Sequence, residues 1–137
     1  MIYNALLGPI IALVGWTLVM LVWMAAKRFP QLKGKAIPDG TRGSDMPSGR
    51  HNWPAHNYEH LLEQPTIFYA IVLALVAMDD RFAFNLYLAW GYVGLRIAHS
   101  IWQATVNSIK IRFPLFALST LCLVGLTLHA ALRFIHG

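Results

Sequence analysis

The chain is 137 residues long, 57% hydrophobic and 12% charged, with a formal net charge of +5. Soluble domains carry about 25% charged residues, so this composition excludes a water-soluble globular enzyme and fits one membrane domain over residues 1–137. The positive balance needs no nucleic-acid partner, because basic loops beside anionic lipid headgroups account for it.

Met1 to Ala26 holds no charged residue. A helix needs about 20 mostly apolar residues to cross the hydrocarbon core of a bilayer, and the run predicts a membrane helix over about 3–26. It lacks the basic start of a signal peptide and exceeds the apolar core of one, about 7–15 residues. Residues 27–56 follow, with Lys27, Arg28, Lys33, Lys35, Arg42 and Arg50 set against Asp39 and Asp45. Their Pro, Gly, Ser and Asp content favours turns. The segment reads as a solvated loop, long enough for a lid to be the functional alternative.

The second helix is expected over about 57–78 and the third over about 82–106. Each reaches membrane length only if a polar end is included, Asn57 to Glu63 in one and Arg96 to Gln103 in the other. Phe113 to Leu132 is again uncharged, which predicts a fourth helix over about 112–135. The fold class is therefore all-α, an integral membrane four-helix bundle. Lys110 and Arg112 lie on the same side as the basic loop, whereas the other side carries only Arg81 and Arg133. Basic loops stay cytoplasmic. The long loop is expected in the cytoplasm and both termini in the periplasm or a lumen, as for a bacterial inner membrane.

Smaller features follow the same logic. Trp16, Trp23, Trp53, Trp90 and Trp102 read as interfacial or packing residues, as do Tyr87 and Tyr92. Gly8, Gly15, Gly91 and Gly94 read as close-packing positions. Pro65 is expected to kink the second helix. Cys122, the single cysteine, cannot form an intrachain disulfide. His129 and His136 read as interfacial on the outer side.

The polar residues inside the helices carry the functional signal. His56, His60 and Glu63 repeat at i, i+4 and i+7, as do Arg96, His99 and Gln103 at i, i+3 and i+7, so each set shares a helix face. At 1.5 Å per residue, Glu63 lies about 9 Å from the cytosolic end of its helix, and Arg96 and His99 about 15 and 11 Å. Arg112 opens the fourth helix at that end. Charges in a bilayer must face a bundle interior or a partner, so these faces are expected to turn inward or toward a neighbouring subunit. An ion pair between Glu63 and Arg96 would satisfy the minimum. The surplus of Arg96, His99 and Arg112 points further, to a site for an anionic ligand entered from the cytosol. A metal site of His56, His60, Glu63 and His99 is the chemical rival, with Arg96 and Arg112 poorly placed beside a cation. We assign no metal.

The run "LRIAHSIWQATVNSIKIRFPLF" resembles the third and fourth helices of the MAPEG family, the membrane-associated proteins of eicosanoid and glutathione metabolism, in its bacterial-type members. Arg96, His99 and Arg112 match an Arg-x-x-His motif followed thirteen residues later by an Arg. "HLLEQPTIFYA" is similar to the helix-two signature, with His60 and Glu63 at its polar and Glu positions. The resemblance implies a homotrimer that binds glutathione as co-substrate between subunits, with membrane lipids around it. It further implies that Arg112 is catalytic and holds the thiolate. His60, Glu63, Arg96, His99 and Gln103 would bind substrate. A guanidinium beside a thiol lowers its pKa from about 8.5, which suits conjugation of glutathione to, or reduction of, a lipophilic small molecule. Some positions depart from the family pattern. Gln103 and Phe116 stand where many members have Tyr, and His60 stands where Asn is usual. His56 and Glu59 replace arginines that grip the tripeptide, and Pro65 follows Glu63 more closely than is usual. The alternative function is a non-catalytic protein that binds a lipid or docks onto a larger membrane complex.

Overall fold

The computed structural model describes residues 3–32 and 53–137. Four helices account for nearly all of them: α1 (Leu7–Leu32), α2 (Trp53–Ala77), α3 (Ala83–Thr105) and α4 (Ile109–His136). There is no strand among the described residues. Short turns at 78–82 and 106–108 make α2, α3 and α4 antiparallel in sequence. Asn4, just before α1, donates to the Asp80 carbonyl at 2.9 Å, which sets the start of α1 at the same end as the α2–α3 turn.

The helix bounds differ from the apolar runs where the runs stop at charges. α1 continues through Lys27 to Leu32, with Pro30 near its end, and α2 begins at Trp53. The expected loop 27–56 is therefore helical over 27–32 and 53–56, and the rest of it lies outside the described residues. The reason is local. Apolarity marks where hydrocarbon ends, whereas a helix satisfies its own backbone and can run on into water. α2 also stays helical across Pro65.

Three helical stretches, Leu7–Lys27, His56–Ala77 and Ile109–His136, are long and apolar enough to cross a membrane. α3, at 23 residues, has the length, about 35 Å, but its polar residues lower its apolar content. Those residues are buried by its neighbours. α3 lies against α4 most extensively, and α1 covers α2 and α3. Leu13 and Met20 from α1, Phe68, Val72 and Leu75 from α2, Tyr92 and Val93 from α3 and Leu126 from α4 form the core. The Phe68 and Tyr92 rings stack at 4.3 Å. Large apolar side chains such as Ile11, Val22, Ile67, Tyr87, Leu121 and Phe134 point outward, as expected of a surface that faces lipid tails.

Two glycines allow close approach, though not the set expected. A Cβ on Gly8 would meet the Trp90 ring at 3.2 Å and one on Gly125 would meet Leu88 at 3.1 Å, whereas Gly15 and Gly94 have open space around them within the chain.

Candidate functional site

The buried stripe of α2 is Asn57, Leu61, Phe68, Val72 and Leu75. These positions recur at three-, four- and seven-residue intervals and form one face. The polar stripe His56, His60, Glu63 is offset from it by one residue, about 100° around the helix. The apolar side chains take the interior, and the polar stripe lands on the flank. Glu63 is accordingly 70% exposed, and its carboxylate lies 3.5 Å from Nδ1 of half-exposed His60. Within one chain Glu63 thus turns outward rather than toward Arg96, which leaves the neighbouring-subunit half of the expectation.

On α3 the expected stripe does face inward. Arg96 is 1% exposed and His99 and Gln103 are buried. The Arg96 guanidinium donates from Nη2 to the His60 carbonyl at 3.2 Å, while its Nε and Nη1 have no partner. Its Cζ lies 5.8 Å from the Phe116 ring centroid. The ion pair between Glu63 and Arg96 does not form. Pro65 has no N–H to offer the Leu61 carbonyl, and the adjacent His60 carbonyl is the one that receives Arg96.

Arg112 arrives through the α3–α4 turn. Asn107 has φ of 57°, a left-handed conformation that Asn tolerates better than most residues. Its N–H bonds to the Trp102 carbonyl at 2.8 Å, closing α3, and its side-chain oxygen accepts from Arg112 Nη1. One turn residue therefore reverses the chain and aims the guanidinium.

His60, His99, Ile109, Arg112, Phe113 and Phe116 enclose a cavity of about 200 Å³. The His60 and His99 rings meet edge-on at 6.4 Å. Of the six candidate residues, His60, His99 and Arg112 line the cavity. Arg96 stands behind Phe116, Glu63 flanks the cavity through His60, and Gln103 is buried without lining it. Among the described residues no three His, Cys, Asp or Glu side chains are grouped to hold a metal ion, so His56, His60, Glu63 and His99 do not make the ligand set their spacing suggested.

A model of the MAPEG family matches residues 6–132. The chain belongs to the MAPEG family. As a MAPEG protein it is an integral membrane protein with an all-α, four-helix architecture. No curated protein and no solved structure matches it.

Two polar groups in this MAPEG protein were not legible as such. Tyr92 donates to Gln64 at 3.2 Å, Gln64 donates to Thr120 at 3.0 Å and Thr120 donates to the Phe116 carbonyl at 2.9 Å, joining α2, α3 and α4 beside the cavity. Asn57 bonds to Ser100, both fully buried. Extending the Arg96 stripe back by four residues would have found Tyr92. At the opposite end, buried Asp80 accepts from Asn85 at 2.9 Å and Asn85 meets His129. His129 is therefore tied into the fold there, where the sequence suggested only an interfacial residue.

Proposed function

We propose that this protein is a membrane-bound glutathione transferase. It binds glutathione in the cavity of His60, His99 and Arg112, holds it as thiolate against Arg112 and conjugates it to a lipophilic electrophile. The observation that carries the reading is the convergence of the Arg112 guanidinium, held through Nη1 by Asn107, and two imidazoles in a cavity otherwise walled by Ile109, Phe113 and Phe116. Such a lining suits a charged sulfur next to an apolar acceptor. Each pKa unit by which the thiol is lowered requires about 1.4 kcal/mol of preference for the anion, within the reach of one partly buried charge.

The site is completed in a homotrimer. Glu63 is a carboxylate exposed on a membrane-spanning helix, a placement that is costly against lipid and reasonable against a neighbouring subunit. Glu63, Arg96 and Gln103 then serve the tripeptide from the flank and from behind the cavity. The basic loop and the cavity lie on the cytoplasmic side, with the termini opposite, following the charge bias.

Calorimetry of glutathione binding to the detergent-purified oligomer, combined with ultraviolet absorbance of the thiolate, tests this. Binding with a thiolate signal that is lost in Arg112→Ala is expected. A folded oligomer that binds no glutathione at millimolar concentration would sink the enzyme reading.

One observation favours a second reading. Among the described residues the cavity lining contains no hydroxyl, and Phe116 stands where the resemblance implies a Tyr, which suits a protein that binds an amphipathic anion without turnover. Glutathione binding without conjugation of any lipophilic electrophile would select it.

A further inference from the structure

We infer that His60, oriented by Glu63, is the base that accepts the proton of the bound thiol. The inference rests on the glutathione reading above and assigns a chemical step within it. A guanidinium stabilises a thiolate but cannot take up its proton, being always protonated. Among the described side chains that line the cavity, only His60 and His99 carry a basic lone pair.

The two imidazoles stand in different surroundings. His60 Nδ1 lies 3.5 Å from the Glu63 carboxylate, which favours the tautomer with hydrogen on Nδ1 and leaves Nε2 as acceptor. Nucleophile, imidazole and orienting carboxylate form the usual order of an activated nucleophile, and such contacts are commonly loose before substrate binds. The charges acting on the His60 ring are Glu63 and Glu59 on its own helix, Arg96 on α3 and Arg112 on α4. Those acting on His99 are Arg96, Arg112 and His60, with no carboxylate among them. Its Nδ1 is buried without a partner. Of the two imidazoles, His60 is therefore the one with a carboxylate beside its ring, at 3.5 Å from Nδ1.

The step balances with no further reactant but water. The S–H bond breaks and an N–H bond forms at His60 Nε2, leaving thiolate at Arg112 and imidazolium at His60. The thiolate forms an S–C bond with the electrophile. The leaving group departs with its electron pair, as halide ion from an aryl halide, and the imidazolium gives its proton to water, which restores the neutral imidazole.

The test counts protons. Calorimetry of glutathione binding in two buffers of different ionisation enthalpy, on the detergent-purified oligomer at neutral pH, gives the protons released per ligand bound, and ultraviolet absorbance gives the thiolate formed. In the wild-type protein the proton is retained, so far fewer protons than thiolates are expected. In His60→Asn, and in His60→Gln should that variant fold better, release approaches one proton per thiolate, and the rate of conjugation to an activated aryl halide falls about 100-fold or more. Glu63→Gln keeps the shape and loses the charge, and moves the proton count the same way by less. Equal release per thiolate in wild type and both His60 variants, or a change in His99→Gln alone, overturns the assignment and leaves the transferase reading intact. Absence of glutathione binding by the wild-type protein removes the transferase reading and this step with it.

Discussion

The guanidinium of Arg96 donates to the backbone carbonyl of His60 at 3.2 Å, and this bond fixes α3 to α2 directly behind the cavity. Two of its nitrogens remain buried and unpartnered. A buried cation with one neutral acceptor contributes little net stability and often less than an apolar residue of similar length. Its retention is better understood through the anion that the cavity is proposed to hold.

Arg96→Met is accordingly expected to leave thermal stability in detergent unchanged or raised, while weakening glutathione binding at least tenfold. A stability loss of several kcal/mol with unchanged binding would instead make Arg96 a structural residue.

Gln64 links Tyr92 to Thr120, so Gln64→Leu strands the buried Tyr92 hydroxyl, while Thr120 keeps its bond to the Phe116 carbonyl. Each buried polar group left without a partner costs about 1–3 kcal/mol. Unfolding in a denaturing detergent should show a loss in that range for Gln64→Leu and a smaller one for Tyr92→Phe, which removes donor and need together.

Asn107 separates backbone from side-chain effects at the α3–α4 turn. Asn107→Gly keeps the positive φ of 57° accessible and should keep the fold, but it frees Arg112 and lowers the thiolate signal. Asn107→Ala adds a left-handed strain of about 1–2 kcal/mol, readable as a lower unfolding midpoint. Equal midpoints for the two variants would count against strain at this residue.

Arg133 supplies a control far from the cavity. It donates to the Met78 carbonyl at 2.9 Å and lies 3.6 Å from buried Asp80, with 43% of its side chain exposed. Solvent weakens such contacts, so Arg133→Leu should cost about 1 kcal/mol and leave glutathione affinity unchanged. A change in affinity would show that the two ends of the bundle communicate.

Much of this protein was legible from the chain. Composition and the lengths of the uncharged runs determine a membrane protein of four helices, because bilayer thickness and the 1.5 Å rise leave few other solutions. The spacing of Arg96, His99 and Arg112 determines that one end of α3 and the start of α4 carry a basic site, since helix geometry alone brings those positions to adjoining depths. Tertiary structure decided which way α2 faces. Two stripes on that helix, Asn57 to Leu75 and His56 to Glu63, compete for the interior from neighbouring angles, and only packing against α1 and α3 selects the apolar one. That choice exposes Glu63, separates it from Arg96 and leaves it beside His60. Long-range partners such as Gln64 with Thr120, or Asp80 with Arg133, were equally invisible, because they join helices whose rotations no local pattern specifies.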